Sequence, residues 1–196
     1  MKNTNSHLTA KEREKPSFPL KKLLREGLIK GRVLDFGSGH GKDVEHLKSK
    51  GYETVGYDPY YSPEFPTGKF DTITCIYVLN VLKPEQQTEV IMRISYLLNP
   101  DGVAYFAVRR DLKREGFRKH AKHSAYTYQC NVNLKMKSIF ENDFTEIYAF
   151  QKYNVVQADS KNECVFCAPE KETIAENNNS FSIFDKYPVN EGHVLI

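Results

Sequence analysis

From Val33 to Gly41 the chain reads Val-Leu-Asp-Phe-Gly-Ser-Gly-His-Gly, with glycine at every second position after a short apolar run. A side chain at such a place would hold a ligand off the backbone and oppose positive φ, so the spacing suits a turn that cradles a nucleotide-like group. Asp58 follows Asp35 by 23 residues. A carboxylate closing the next strand accepts two hydrogen bonds from a vicinal diol, and a separation of about 20 residues is the one used for ribose recognition. A P-loop needs Gly-Lys followed by Ser or Thr and a further glycine five places earlier. Here Asp43 follows Lys42 and Phe36 holds the earlier place. The third glycine of a dinucleotide fingerprint would fall where Lys42 stands, which weakens that reading too.

The elements that would position these residues follow from patterning. Leu20, Leu23, Leu24, Leu28 and Ile29 recur at helical spacing before Gly31, and the run ending at Phe36 reads as a buried strand. A helix of about ten residues stops at Gly51, and Thr54 to Asp58 is a second strand. Phe70 to Leu79 is a third apolar run, Glu85 to Leu98 a helix, and Gly102 to Val108 a strand after the turn Asn99-Pro100-Asp101-Gly102. This alternation predicts an α/β fold, a Rossmann-like sheet covered by helices on both faces. Thr127 to Met136 and Phe144 to Phe150 read as two more strands, and residues 1–19 as a flexible lead-in.

The segment Asp35-Phe36-Gly37-Ser38-Gly39-His40-Gly41 resembles motif I of the class I S-adenosylmethionine (SAM)-dependent methyltransferases. Asp58 matches that family's ribose-binding acid. Lys69 to Leu82 looks like its fourth strand and the segment where sulfonium and acceptor meet, and Asn99 to Gly102 like the turn before its fifth. The resemblance covers about residues 28–110 and implies S-adenosyl-L-methionine as cofactor. It assigns cofactor contacts to Asp35, Gly37, Ser38, Gly39, Gly41, Asp58, Pro59, Tyr60, Ile76 and Tyr77, and a place at the reaction centre to Asn80. Only 12 residues separate Asp58 from Asp71, three of them proline, too few for a helical crossover and a third strand. That strand is expected to be missing or vestigial, with Pro59, Tyr60, Tyr61 and Ile76 walling the adenine pocket.

Methyl transfer is an in-line displacement that needs alignment above all. Neither Asp-Pro-Pro-Tyr, Asn-Pro-Pro-Tyr nor a Pro-Cys pair is present, so the acceptor stays open. Residues 109–123 hold seven Lys and Arg against Asp111 and Glu115, which fits a small-molecule or anionic acceptor and admits nucleic acid; a solvated face is the competing reading. His120 and His123 adjoin this cluster, with Tyr126, Tyr128 and Gln129 beyond it. A narrower likeness, to methyltransferases associated with DNA phosphorothioation, rests on Gly51 to Pro63, Tyr77 to Leu82 and the basic run after Val108. The rival reading is a non-catalytic SAM- or nucleotide-binding regulatory module.

Cys164-Val165-Phe166-Cys167 and Phe181 to Ile196 resemble the opening of histidine triad (HIT) proteins, in which the acid at Asp185 contacts ribose and the catalytic histidines lie downstream. The expected organisation is a methyltransferase domain at 20–157 and a truncated, poorly packed HIT-like α+β fragment at 158–196. Two cysteines leave a tetrahedral zinc site half built, so they are expected free and reduced, with no metal site. A net charge of +3, 40% hydrophobic content, a polar N-terminus and the lack of a long apolar run point to a cytoplasmic protein away from membranes.

Overall fold

Val33–Phe36 is buried at all four positions, and a strand covered on both faces belongs in the interior of a parallel sheet. The computed structural model describes residues 3–151, 173–176, 181–184 and 194–195. In it this strand, β1, lies between β2 (Thr54–Tyr57) and β3 (Phe70–Ile76), parallel to both. β4 (Leu98–Arg109) continues the parallel set beside β3. Two elements later in the chain, β7 (Lys137–Glu141) and β8 (Thr145–Gln151), close the sheet in antiparallel fashion, giving the order β2-β1-β3-β4-β8-β7. The carboxyl ends of β1 to β4 therefore share one edge.

Alternation along β4 sends Ala104, Phe106 and Val108 to one face and Tyr105 and Ala107 to the other. The first face packs under α3 (Pro84–Leu97) through Ile94 and Leu97. The second packs under α1 (Phe18–Arg25) through Leu20 and Leu23, and under α2 (Lys42–Ser49) through Leu47. Ser17 caps α1, its Oγ accepting from Leu20 N–H at 3.3 Å. Asp71 fastens the opposite edge: Arg32 N–H and the Asn99 amide donate to its two oxygens at 2.8 and 2.7 Å, which holds its carboxyl below the usual range.

Several elements differ from the sequence pattern. The turn expected at Asn99 to Gly102 is absorbed into β4, with a register shift opposite Phe70 and Thr72. The strand expected over Thr127 to Met136 is a short ribbon, β5 (Gly116–Lys119) with β6 (Tyr126–Gln129), separate from the main sheet. Among the described residues no strand lies outside β2. The segment after it holds one isolated bridge, Asp58 with Ser62.

The chain divides into two units, Met1–Asn154 and Val155–Ile196. In the second, β9 (Thr173–Glu176), β10 (Phe181–Phe184) and β11 (Val194–Leu195) form an antiparallel sheet in the order β11-β10-β9. Cys164, Cys167 and Asp185, on which the HIT-like reading turns, lie outside the described residues. Among those described, no helix is long and apolar enough to cross a membrane.

Candidate functional site

The glycine turn sits at the carboxyl end of β1. Gly37, Gly39 and Gly41 take φ of +83°, +53° and +78°, conformations that side chains oppose. Gly37 is fixed twice over, since a Cβ there would stand 2.3 Å from Cγ2 of Val78. Gly37 and Ser38 N–H both donate to Tyr57 carbonyl oxygen, which seats the turn on β2. Around Gly41 a Cβ would meet nothing within 4 Å, so bare backbone faces open space there, whereas at Gly39 it would touch Ala10 Cβ at 3.4 Å.

Asp58 lies just past β2, beside this turn. Its Oδ2 accepts from Gly39 N–H at 3.1 Å, and its Oδ1 accepts from the N–H groups of Tyr60 and Tyr61 at 2.9 and 3.0 Å. A carboxylate has about four acceptor positions, so three are used and Oδ2 keeps one for a hydroxyl. Bare backbone with a carboxylate alongside fits the aminoacyl and ribose parts of an adenosyl cofactor. Pro59 and Tyr60 are exposed on the same loop.

Asp35 is placed differently from the expected cofactor contact. It is 3% exposed, sealed beneath the turn, and Oγ1 of Thr74 donates to its Oδ1 at 2.8 Å. Burial first, then the neighbouring Asp43 carboxylate, push its pKa up to about 7. It backs the turn from within the fold. Asp43 is buried too, accepting from Ser17 N–H at 2.7 Å with Arg13 at 3.8 Å.

Ile76 ends β3 partly packed into the core, and Tyr77 follows with φ +61°, the only non-glycine among the described residues in the left-handed region. Such strain persists where surroundings impose it and collects at functional sites. The Tyr77 hydroxyl lies 2.8 Å from Oγ1 of Thr145 on β8. Burial raises its pKa against the lowering effects of that bond, Arg13 and Arg109.

Asn80, expected at the reaction centre, is bound to the backbone on both sides. Its amide donates to the carbonyls of Cys130 and Arg109 at 2.9 and 3.2 Å, and its Oδ1 accepts from Arg109 N–H at 2.7 Å. At 1% exposure, with both amide hydrogens committed, it clamps the end of β4 to the root of the β5–β6 ribbon and has no hydrogen left for reacting atoms.

The lead-in, expected from its polarity to be flexible, spans the same edge. It carries a 3-10 turn at Ser6–Thr9. His7 stacks on Tyr60 at 3.9 Å and 10°, Tyr61 hydroxyl donates to His7 carbonyl oxygen, and Ala10 faces Gly39. Asn3 donates to Val81 carbonyl oxygen and Gln86, and Asn5 to Tyr126 carbonyl oxygen. Sequence reasoning missed this strap and Thr145, because isolated polar residues carry no periodic signal. His40 packs on Tyr61, and Lys42 pairs with Glu45.

A family model described as a methyltransferase domain matches residues 8–157. Among solved structures, a SAM-dependent methyltransferase from Bacteroides fragilis in complex with S-adenosyl-L-homocysteine is similar at 16% identity and a TM-score of 0.52. The similarity covers 70% of this chain and 78% of that one. DhpI in its SAH complex is similar at 15% identity and a TM-score of 0.50, over 67% of this chain and 81% of that one. Identities this low establish the shared fold alone. No curated protein matches the chain.

Proposed function

The chain belongs to the family of methyltransferase domains, and from that premise we propose that it transfers a methyl group from S-adenosyl-L-methionine to an acceptor bound at the carboxyl edge of the sheet. The observation that carries this reading is the bare glycine turn beside the Asp58 carboxylate, which keeps one acceptor position open. When bound, the cofactor would supply an electrophilic methyl group on a sulfonium, with a neutral thioether as the leaving group.

The chain's own residues hold and enclose. Gly37, Ser38, Gly39 and Gly41 present backbone to the aminoacyl part, and Asp58 takes a ribose hydroxyl. Pro59, Tyr60 and Ile76 line the adenine side, an assignment supported by their positions at the ends of β2 and β3. Tyr77 stands at the end of β3, its hydroxyl steadied by Thr145, where ligands collect in open α/β sheets. The strap lies across this edge and would help to shield bound reactants from water.

Calorimetric titration with S-adenosylhomocysteine, followed by transfer of labelled methyl from SAM, tests the proposal. Absence of binding would overturn it. A second reading, a non-catalytic cofactor-binding module, is favoured by the full commitment of the Asn80 amide. Binding without any methyl transfer would select it.

A further inference from the structure

The β5–β6 ribbon is a two-stranded sheet outside the main one, and its register decides what it shows to solvent. Phe117 pairs across from Tyr128 and Lys119 from Tyr126, so all four share one face, while Thr127, opposite Arg118, is buried on the other. Phe117 and Tyr128 meet edge to face at 5.3 Å, Lys83 Nζ lies 5.5 Å from the centre of the Phe117 ring, and Tyr126 is 51% exposed. This face thus carries three aromatic rings, Tyr126 exposed and Phe117 and Tyr128 half-buried, with the ammonium groups of Lys119 and Lys83 beside them.

Around it basic residues predominate, with Glu115 and Glu85 also near Tyr128. Lys113, Arg114, Arg118, Lys119 and Lys122 are exposed, and none forms an ion pair among the described residues. The two acids of the segment are committed elsewhere: Asp111 binds Arg109 through both oxygens, and Glu115 accepts from Asn131. Unpaired cations on a hairpin are often only solvated, but here Lys119 shares the face of the rings and the others lie on or next to the same hairpin, Arg118 on its opposite face. Phosphates spaced along a strand neutralise such cations, and unstacked bases cover such rings. A duplex hides its base faces, and an anionic lipid surface has none to offer.

We propose that the β5–β6 ribbon is a docking surface for single-stranded nucleic acid. The Asn80 clamp on Cys130 and the Asn5 bond to Tyr126 fix the ribbon to the edge that bears the glycine turn and Tyr77. A strand lying on the ribbon is delivered to that edge. That the docked strand is also the methyl acceptor rests on the transfer reading above; the docking itself does not.

The test is fluorescence anisotropy of the full chain with a labelled oligothymidylate of about 20 nucleotides in about 50 mM salt. Expected is binding whose logarithm falls with the logarithm of salt at a slope of about −3, the value for four or five neutralised phosphates on a single strand. Changing Lys113, Arg114, Arg118, Lys119 and Lys122 to glutamine should flatten that slope. Tyr126→Ala, an exposed change that spares the Phe117–Tyr128 pair, should weaken binding about tenfold through lost stacking. No binding, an unchanged slope in the five-fold variant, or equal binding of phosphatidylserine vesicles would overturn the proposal. S-adenosylhomocysteine titration of the same samples keeps the two readings apart, because its failure counts against the cofactor site and leaves the ribbon untouched.

Discussion

Replacing Asp35 with asparagine isolates the electrostatic cost of the acid beneath the glycine turn. In the folded chain burial and Asp43 raise its pKa from 3.8 to about 7, so folding favours the protonated form. The stability this group contributes is full below about pH 4 and declines as pH rises towards 7, beyond which the carboxylate is ionised in both states. At about 1.4 kcal/mol for each unit, the loss across that window reaches about 4 kcal/mol, a large share of the 5–15 kcal/mol typical of a domain. Asparagine has no proton to lose and keeps an oxygen for the Thr74 hydroxyl. Any constant cost of its new NH2 group leaves the pH dependence alone. Urea denaturation followed by circular dichroism, repeated between about pH 4 and about pH 8, should show the wild type losing stability relative to Asp35→Asn as pH rises. Parallel curves across that range would show that Asp35 titrates normally and refute the argument.

Three other outcomes are expected. Asp58→Ala should weaken S-adenosylhomocysteine binding by about ten- to a hundred-fold, the worth of one hydrogen bond to a charged group, and unchanged affinity by calorimetry would remove the ribose assignment. Asn80→Ala should cost about 2–3 kcal/mol of stability by stranding the Arg109 N–H and two carbonyls, with little change in S-adenosylhomocysteine affinity; the reverse pattern would return Asn80 to the ligand. Gly37→Ala should destabilise the fold by at least about 1–2 kcal/mol, because the new Cβ meets Val78 and φ is positive, and an unaltered thermal midpoint would contradict that packing.

The central strands were legible because burial on both faces leaves a dense apolar run, as in Val33-Leu34-Asp35-Phe36 and Phe70 to Ile76. The glycine turn was legible because its requirement falls on the backbone and so on residue type. β7 was missed, since Lys137-Ser138-Ile139-Phe140-Glu141 is an edge strand with three of its five residues exposed. The strap was missed for a related reason: its bonds are single contacts from Asn3, Asn5 and His7 to positions distant in sequence. Asn80 shows a different limit. Sequence marks a strand's end and leaves open the direction of the side chain, which here turns inward to the Cys130 and Arg109 carbonyls.

The strap begins at the mouth it covers. Asn3 and Asn5 are already bonded to Val81 and Tyr126 beside that opening. A bulky group attached to Asn3 or Asn5 would crowd the opening. Labels for binding studies therefore belong far from this segment, and a change in it that slows ligand exchange reports on the strap as much as on the pocket.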